Sequence, residues 1–171
     1  MTTMTGDSIR LRILNAIKDA AKAIDVPDTT DPNYVAGPAD WPLKFSTVAL
    51  GPLGDEDNRK RYSLGIVPGP EKHSHLFPFI VCDQQIGLEF RATKNKGDDD
   101  PLVMAEHLMT VVKRLALKDK QWTGLAIDTE LVNNEIDLVS FGDRSIVGVL
   151  FIVVKYRHSQ FDPRDPDASI I

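Results

Sequence analysis

A chain of 171 residues with 42% hydrophobic content and a single cysteine fits one domain that buries roughly 70% of its unfolded surface without needing a staple. Cys82 alone excludes an intramolecular disulfide and a multi-cysteine zinc site. Twenty basic against twenty-five acidic residues, a formal charge of −5, argue against a broad nucleic-acid-binding face. The opening "MTTMTGDSIRLRIL" lacks the basic-then-apolar layout of a signal peptide, so the expectation is a soluble protein of a reducing compartment.

In chain order, residues 8–25 place Ile9, Ile13, Ala16, Ile17, Ala20 and Ile24 on one stripe, with Arg12, Lys18, Lys22 and Asp25 outside it. That spacing predicts an amphipathic helix ending before Pro27. Residues 26–42, rich in proline, read as a surface loop. Strand-like pieces follow at 43–50, 61–67, 77–81 and 85–93, the first two joined through "GPLGDEDN" as a hairpin. In the last piece Leu88, Phe90 and Ala92 point inward, with Glu89, Arg91 and Thr93 outward. The basic "NRKR" at 58–61 reads as a solvated turn tip.

A second helix is predicted from Pro101 to Leu117, with Leu102, Ala105, Leu108, Met109, Val112 and Leu115 as its buried stripe. The aspartates before Pro101 suit capping and the helix dipole. Two long strands, at 121–133 and 145–158, are separated by a turn containing "FGDRS"; residues 159–171 read as an extended tail following a single domain of residues 1–158. Helix, strands, helix and strands make an α+β domain with two helices on one face of a mixed or antiparallel sheet.

The stretch "SIVGVLFIVVKYRH" (145–158) is apolar on both faces. Val147, Val149, Phe151 and Val153 share one face; Ile146, Leu150, Ile152 and Val154 share the other. At about 1.5–3 kcal/mol per buried side chain, neither face can be left in water, and the run is too short to cross a bilayer. A helical layer covers one face, and a folded-over sheet or another copy of the protein covers the second. A glycine within a strand marks close approach of another group. On that ground the Phe151 face is expected under the helices, and Ile146, Gly148, Leu150 and Ile152 form the candidate subunit interface.

Candidate chemistry is sparse. No phosphate-cradling glycine loop is present. His73 and His75 share one side of an extended segment, the spacing of a paired metal ligand, but no third ligand adjoins them in sequence. His107, His158 and Cys82 read as packed or exposed side chains without a nucleophile signature. Asp98, Asp99 and Asp100 have the oxygen ligands of a divalent-cation site, although capping and solvation account for them. No cofactor, metal or catalytic residue is expected. A small metal- or thiol-dependent enzyme built on His73, His75 and Cys82 is the alternative from another functional class.

The layout resembles the tail terminator (tail completion) proteins of long-tailed bacteriophages, over about residues 8–162. The resemblance is carried by "IRLRILNAIKDAAKAI", the helix "DPLVMAEHLMTVVKRLAL", the strand "TGLAIDTEL", and the hydrophobic last strand with its aromatic and basic finish, "FIVVKYRH". It implies a structural virion protein at the tail-neck junction, assembled in the host cytoplasm as a hexameric ring. Such a ring caps the tail tube, ends tube polymerisation and offers a surface to the head connector. The implied partners are further copies of the chain, the tail tube protein and a head-tail connector or neck protein, with no membrane and no specific nucleic-acid binding. The loop 93–100, with Lys94, Lys96, Asp98, Asp99 and Asp100, is the candidate tube-docking segment because it joins a strand to a helix and carries both signs of charge. Another neck or head-completion protein is the nearest alternative.

Overall fold

The computed structural model describes residues 6–24, 32, 41, 43–137 and 145–166. The expected loop at 26–42, apart from Pro32 and Trp41, therefore lies outside the described residues, as do 138–144 of the last turn and the final residues 167–171.

Helix α1 (Ile9–Lys22) starts where the Ser8 hydroxyl accepts a hydrogen bond from the Leu11 amide at 3.2 Å, relieving one of the unpaired donors of its first turn. Strands β1 (Thr47–Leu50), β2 (Tyr62–Leu76) and β3 (Phe79–Thr93) follow, then helix α2 (Pro101–Lys118) and strands β4 (Asp128–Asp137) and β5 (Ser145–Ser159). The five strands form one sheet in the order β1-β2-β3-β5-β4. β1 runs parallel to β2 and every other pair is antiparallel, so the sheet is mixed. Both helices pack on one face of it, giving the α+β two-layer architecture expected. The core between the layers joins Ile9, Ile13 and Ile17 of α1 and Ala105, Leu108, Val112 and Leu115 of α2 to Leu64, Ile66, Leu88 and Phe90 of the sheet.

Several local expectations need correction. β1 and β2 are not a hairpin: Thr47 lies beside Ser63 in a parallel pair, and the chain returns between them through a 3-10 turn at Asp55–Arg59. The pieces expected at 61–67, 77–81 and 85–93 are two strands of 15 residues each, turned at Phe77–Pro78. The Pro68-Gly69-Pro70 run does not end β2; the strand absorbs it as a register shift between Pro68 and Glu71. β4 begins at Asp128, because residues 119–125 form a turn in which Trp122 and Thr123 have φ of 47° and 62°. The Asp119 carboxylate holds that turn by accepting from the amides of Gln121 and Thr123, and the Trp122 indole donates to Thr129 at 2.9 Å. Leu102 is 55% exposed, since the buried arc of α2 begins only at Met104. Residues 160–166 are not extended: they fold back, with the Ser159 amide donating to the Asp165 carbonyl and the Ile9 amide to the Pro163 carbonyl.

The assignment of faces in β5 is reversed. Ile146, Gly148, Leu150, Ile152 and Val154 lie buried under the helices, while Val147, Val149, Phe151 and Val153 are half-buried on the face away from them. The proposed subunit-interface residues Ile146, Gly148, Leu150 and Ile152 are thus interior core and unavailable to a neighbour. Gly148 does mark a close approach, but of Phe90, its cross-strand partner in β3: a Cβ there would collide with the Phe90 ring.

Candidate functional site

The register shift in β2 decides what meets at the far end of the sheet. Before it, Leu64 and Ile66 face the helices; after it, the facing positions become Glu71, His73 and His75. Glu71 lies opposite Gln84 and His73 opposite Cys82, and Cys82 is in turn opposite Tyr156 of β5. Residues two apart on one strand and directly across a pair share a face and are near neighbours. A carboxylate, an imidazole, a thiol and a phenol are brought together in this way.

The Tyr156 hydroxyl donates to Glu71 Oε2 at 2.6 Å, and His73 Nε2 lies 2.6 Å from Glu71 Oε1. Arg10 of α1 approaches Glu71 Oε2 at 4.0 Å. Ligand atoms of Glu71, His73 and Cys82 all lie within 4.8 Å of one another. Burial pushes the Glu71 pKa up, but the Tyr156 hydroxyl, His73 and the Arg10 charge more than reverse this and hold it below the usual carboxylate value. Burial, then the Glu71 charge, push the Cys82 thiol up to about 11, and burial with the bond to Glu71 raises Tyr156 as well. The cysteine is therefore a neutral thiol, not a ready nucleophile. Gln84, also on this face, is buried; its amide nitrogen donates to the Gly69 carbonyl at 2.8 Å, and its Oε1 has no hydrogen-bond partner among the described residues.

Only part of this cluster is where the sequence suggested. His73 and Cys82 do meet. Glu71 and Tyr156 were missed, because only the register of β2 on β3 and of β3 on β5 brings them in. His107 is exposed on α2, and His158 Nδ1 pairs with the Ser159 carbonyl at 2.7 Å.

A second feature is the sheet face opposite the helices. Val67, Gly87, Val149 and Phe151, with Glu89 and Glu135 at its rim, line a shallow hollow of about 490 Å³. Glu130, Glu135 and Asp137 of β4 share this face in register with Val153, Val149 and Val147. The result is an apolar centre with an acidic border; the segment 51–54 packs over this face beside Gly65 and Arg91, whereas the residues lining the hollow all come from β2, β3, β4 and β5.

The loop 94–100 is tethered. Asp98 forms a bidentate pair with Arg61 at 2.6 and 2.7 Å and accepts from the Asn95 amide at 2.6 Å. Lys96, Asp99 and Asp100 are exposed and Lys94 is partly so. Asp100 occupies the N-cap position of α2 without a side-chain capping bond, which corrects the capping role expected of the aspartates. Within the basic run 58–61, Lys60 pairs with Asp57 at 3.1 Å and Arg61 with Asp98.

Among the described residues no helix is long and apolar enough to cross a membrane. No family model and no curated protein matches the sequence.

Proposed function

We propose that the chain is a structural, ring-forming protein of the bacteriophage neck, a tail terminator that caps the finished tail tube, ends its polymerisation and presents a surface to the head connector. The observation that carries this reading is the half-buried apolar face of Val147, Val149, Phe151 and Val153, for which the chain's described residues supply no second layer. Neighbouring subunits are its natural cover, and a head-to-tail contact that closes on itself gives a ring of fixed size instead of a filament. The loop with Lys94, Lys96, Asp98, Asp99 and Asp100 remains the proposed contact with the tube.

Light scattering coupled to size exclusion is expected to show a closed ring of six 19.0 kDa chains, alone or on addition of tail tubes. Particles assembled without the protein should carry overlong tubes. Normal tails that lack heads would instead assign the chain to another neck or head-completion role, and a stable monomer that leaves tube length unregulated would overturn the proposal.

A further inference from the structure

The Glu71–His73–Cys82 cluster has no task in a ring whose work is done by surfaces, yet its composition is that of a metal centre. We propose that it binds one zinc-class divalent cation through Cys82 Sγ, His73 Nε2 and Glu71 Oε1, tying the two strands of the β2–β3 hairpin together on the helical side of the sheet.

Three observations point the same way. The three donors come from directly paired and alternate positions of two neighbouring strands, so the backbone ladder fixes their spacing independently of any ion. Tetrahedral zinc, with metal–ligand distances of about 2.0–2.3 Å, sets its donor atoms about 3.3–3.8 Å apart. The present donors, none more than 4.8 Å from another, reach that arrangement by side-chain rotation, the 2.6 Å contact between His73 and Glu71 widening as the others close. Finally, the Tyr156 hydroxyl engages Glu71 Oε2 and leaves Oε1 turned towards His73. An outer partner that orients a ligand carboxylate in this way is a regular part of metal sites.

The donor set selects the ion. A thiolate beside an imidazole favours zinc and its soft or borderline relatives over magnesium or calcium, which take oxygen ligands. Binding replaces the Cys82 S–H bond by a sulfur–metal bond and releases that proton to solvent; no electron changes hands. Three protein ligands leave a fourth position for water, on the side where the His73 side chain is 53% exposed. Arg10, 4.0 Å from Glu71, must move away from the carboxylate as the cation enters.

The test is titration of the full-length chain with Co²⁺ and Zn²⁺. One equivalent of metal per chain is expected, with an intense thiolate-to-cobalt charge-transfer band that zinc displaces. Cys82→Ser should abolish the band, His73→Ala should weaken binding at least tenfold, and Tyr156→Phe should weaken it about 10- to 100-fold as the loss of an orienting partner does. Zinc should also raise the unfolding midpoint of the unaltered chain and not that of the His73→Ala variant. No charge-transfer band in the unaltered chain, or a band of undiminished affinity in His73→Ala, overturns the proposal. Because His73 is exposed, that variant keeps its fold and stays decisive even if Cys82→Ser does not fold. The ring measurements are separate, so failure of one reading leaves the other standing.

Discussion

Two glycine–aromatic pairs sit back to back in the middle of the sheet, and they behave differently. On the helical side the Phe90 ring lies over Gly148; on the other side the Phe151 ring lies over Gly87, whose would-be Cβ meets Phe151 Cε1 at an ordinary 3.6 Å. Gly148→Val forces the buried Phe90 ring out of its position in the core and should cost about 1–3 kcal/mol as overpacking does, read as a lowered midpoint in denaturant unfolding. Gly87→Ala should change the same midpoint by no more than about 0.5 kcal/mol. Gly148 was legible in the sequence as a place of close approach. What approaches it was not, because a period of two says which residues share a face and never which of two equally apolar faces lies inside. The place of Glu71 beside His73 and Cys82 was hidden for a related reason: it lies two positions from the one and eleven from the other, and only the strand register, shifted at Pro68–Glu71, makes the three neighbours.

At the scale of elements, the reversed faces of β5 make a sharp contrast between two adjacent residues. Ile152 is fully buried beneath the helices, so Ile152→Asp places an unpaired charge in the core and should unfold the isolated subunit. Phe151→Asp lies on the uncovered face; circular dichroism should find the subunit folded while light scattering finds it unable to assemble. The strand-to-helix loop yields a pH prediction. Its Asp98 is held down to about 2, by the Arg61 hydrogen bonds first and then by the Asn95 amide. A depressed carboxylate pKa stabilises the fold above the unfolded value of about 3.9, and that contribution is lost as pH falls from there through the folded value. The Arg61–Asp98 tether should therefore hold at neutral pH and release between about pH 4 and 2, with an Asp98 carboxyl titration by NMR giving a midpoint near the lower end. The helices were the most legible elements because the 3.6-residue stripes of α1 and α2 repeat for three turns or more. β2 and β3 were read as fragments because Pro68-Gly69-Pro70 and the polar Asp83-Gln84-Gln85 interrupt the pattern, whereas a bulge and a buried, hydrogen-bonded glutamine let both strands continue.

For the whole molecule, the borders of the sheet matter as much as its faces. β1 is a four-residue edge, and β4 is an edge with a register shift at Leu131–Asn133 and exposed Glu130, Asn133, Asn134 and Glu135. Short, bulged and charged edges resist pairing with another chain's strands. In the proposed ring, the broad face of Val149 and Phe151 is then the surface left for contact between subunits. The strand order has a further consequence, for synthesis. β5 leaves the ribosome after every other element of the sheet, yet it is inserted between β3 and β4 and carries the pairing of both. Until it emerges, β3 offers a bare hydrogen-bonding edge and α2 an apolar stripe with much of its counterpart missing. The nascent chain must therefore remain without its completed core until β5 is free of the exit tunnel, so the sheet closes only at the last step of synthesis of these elements.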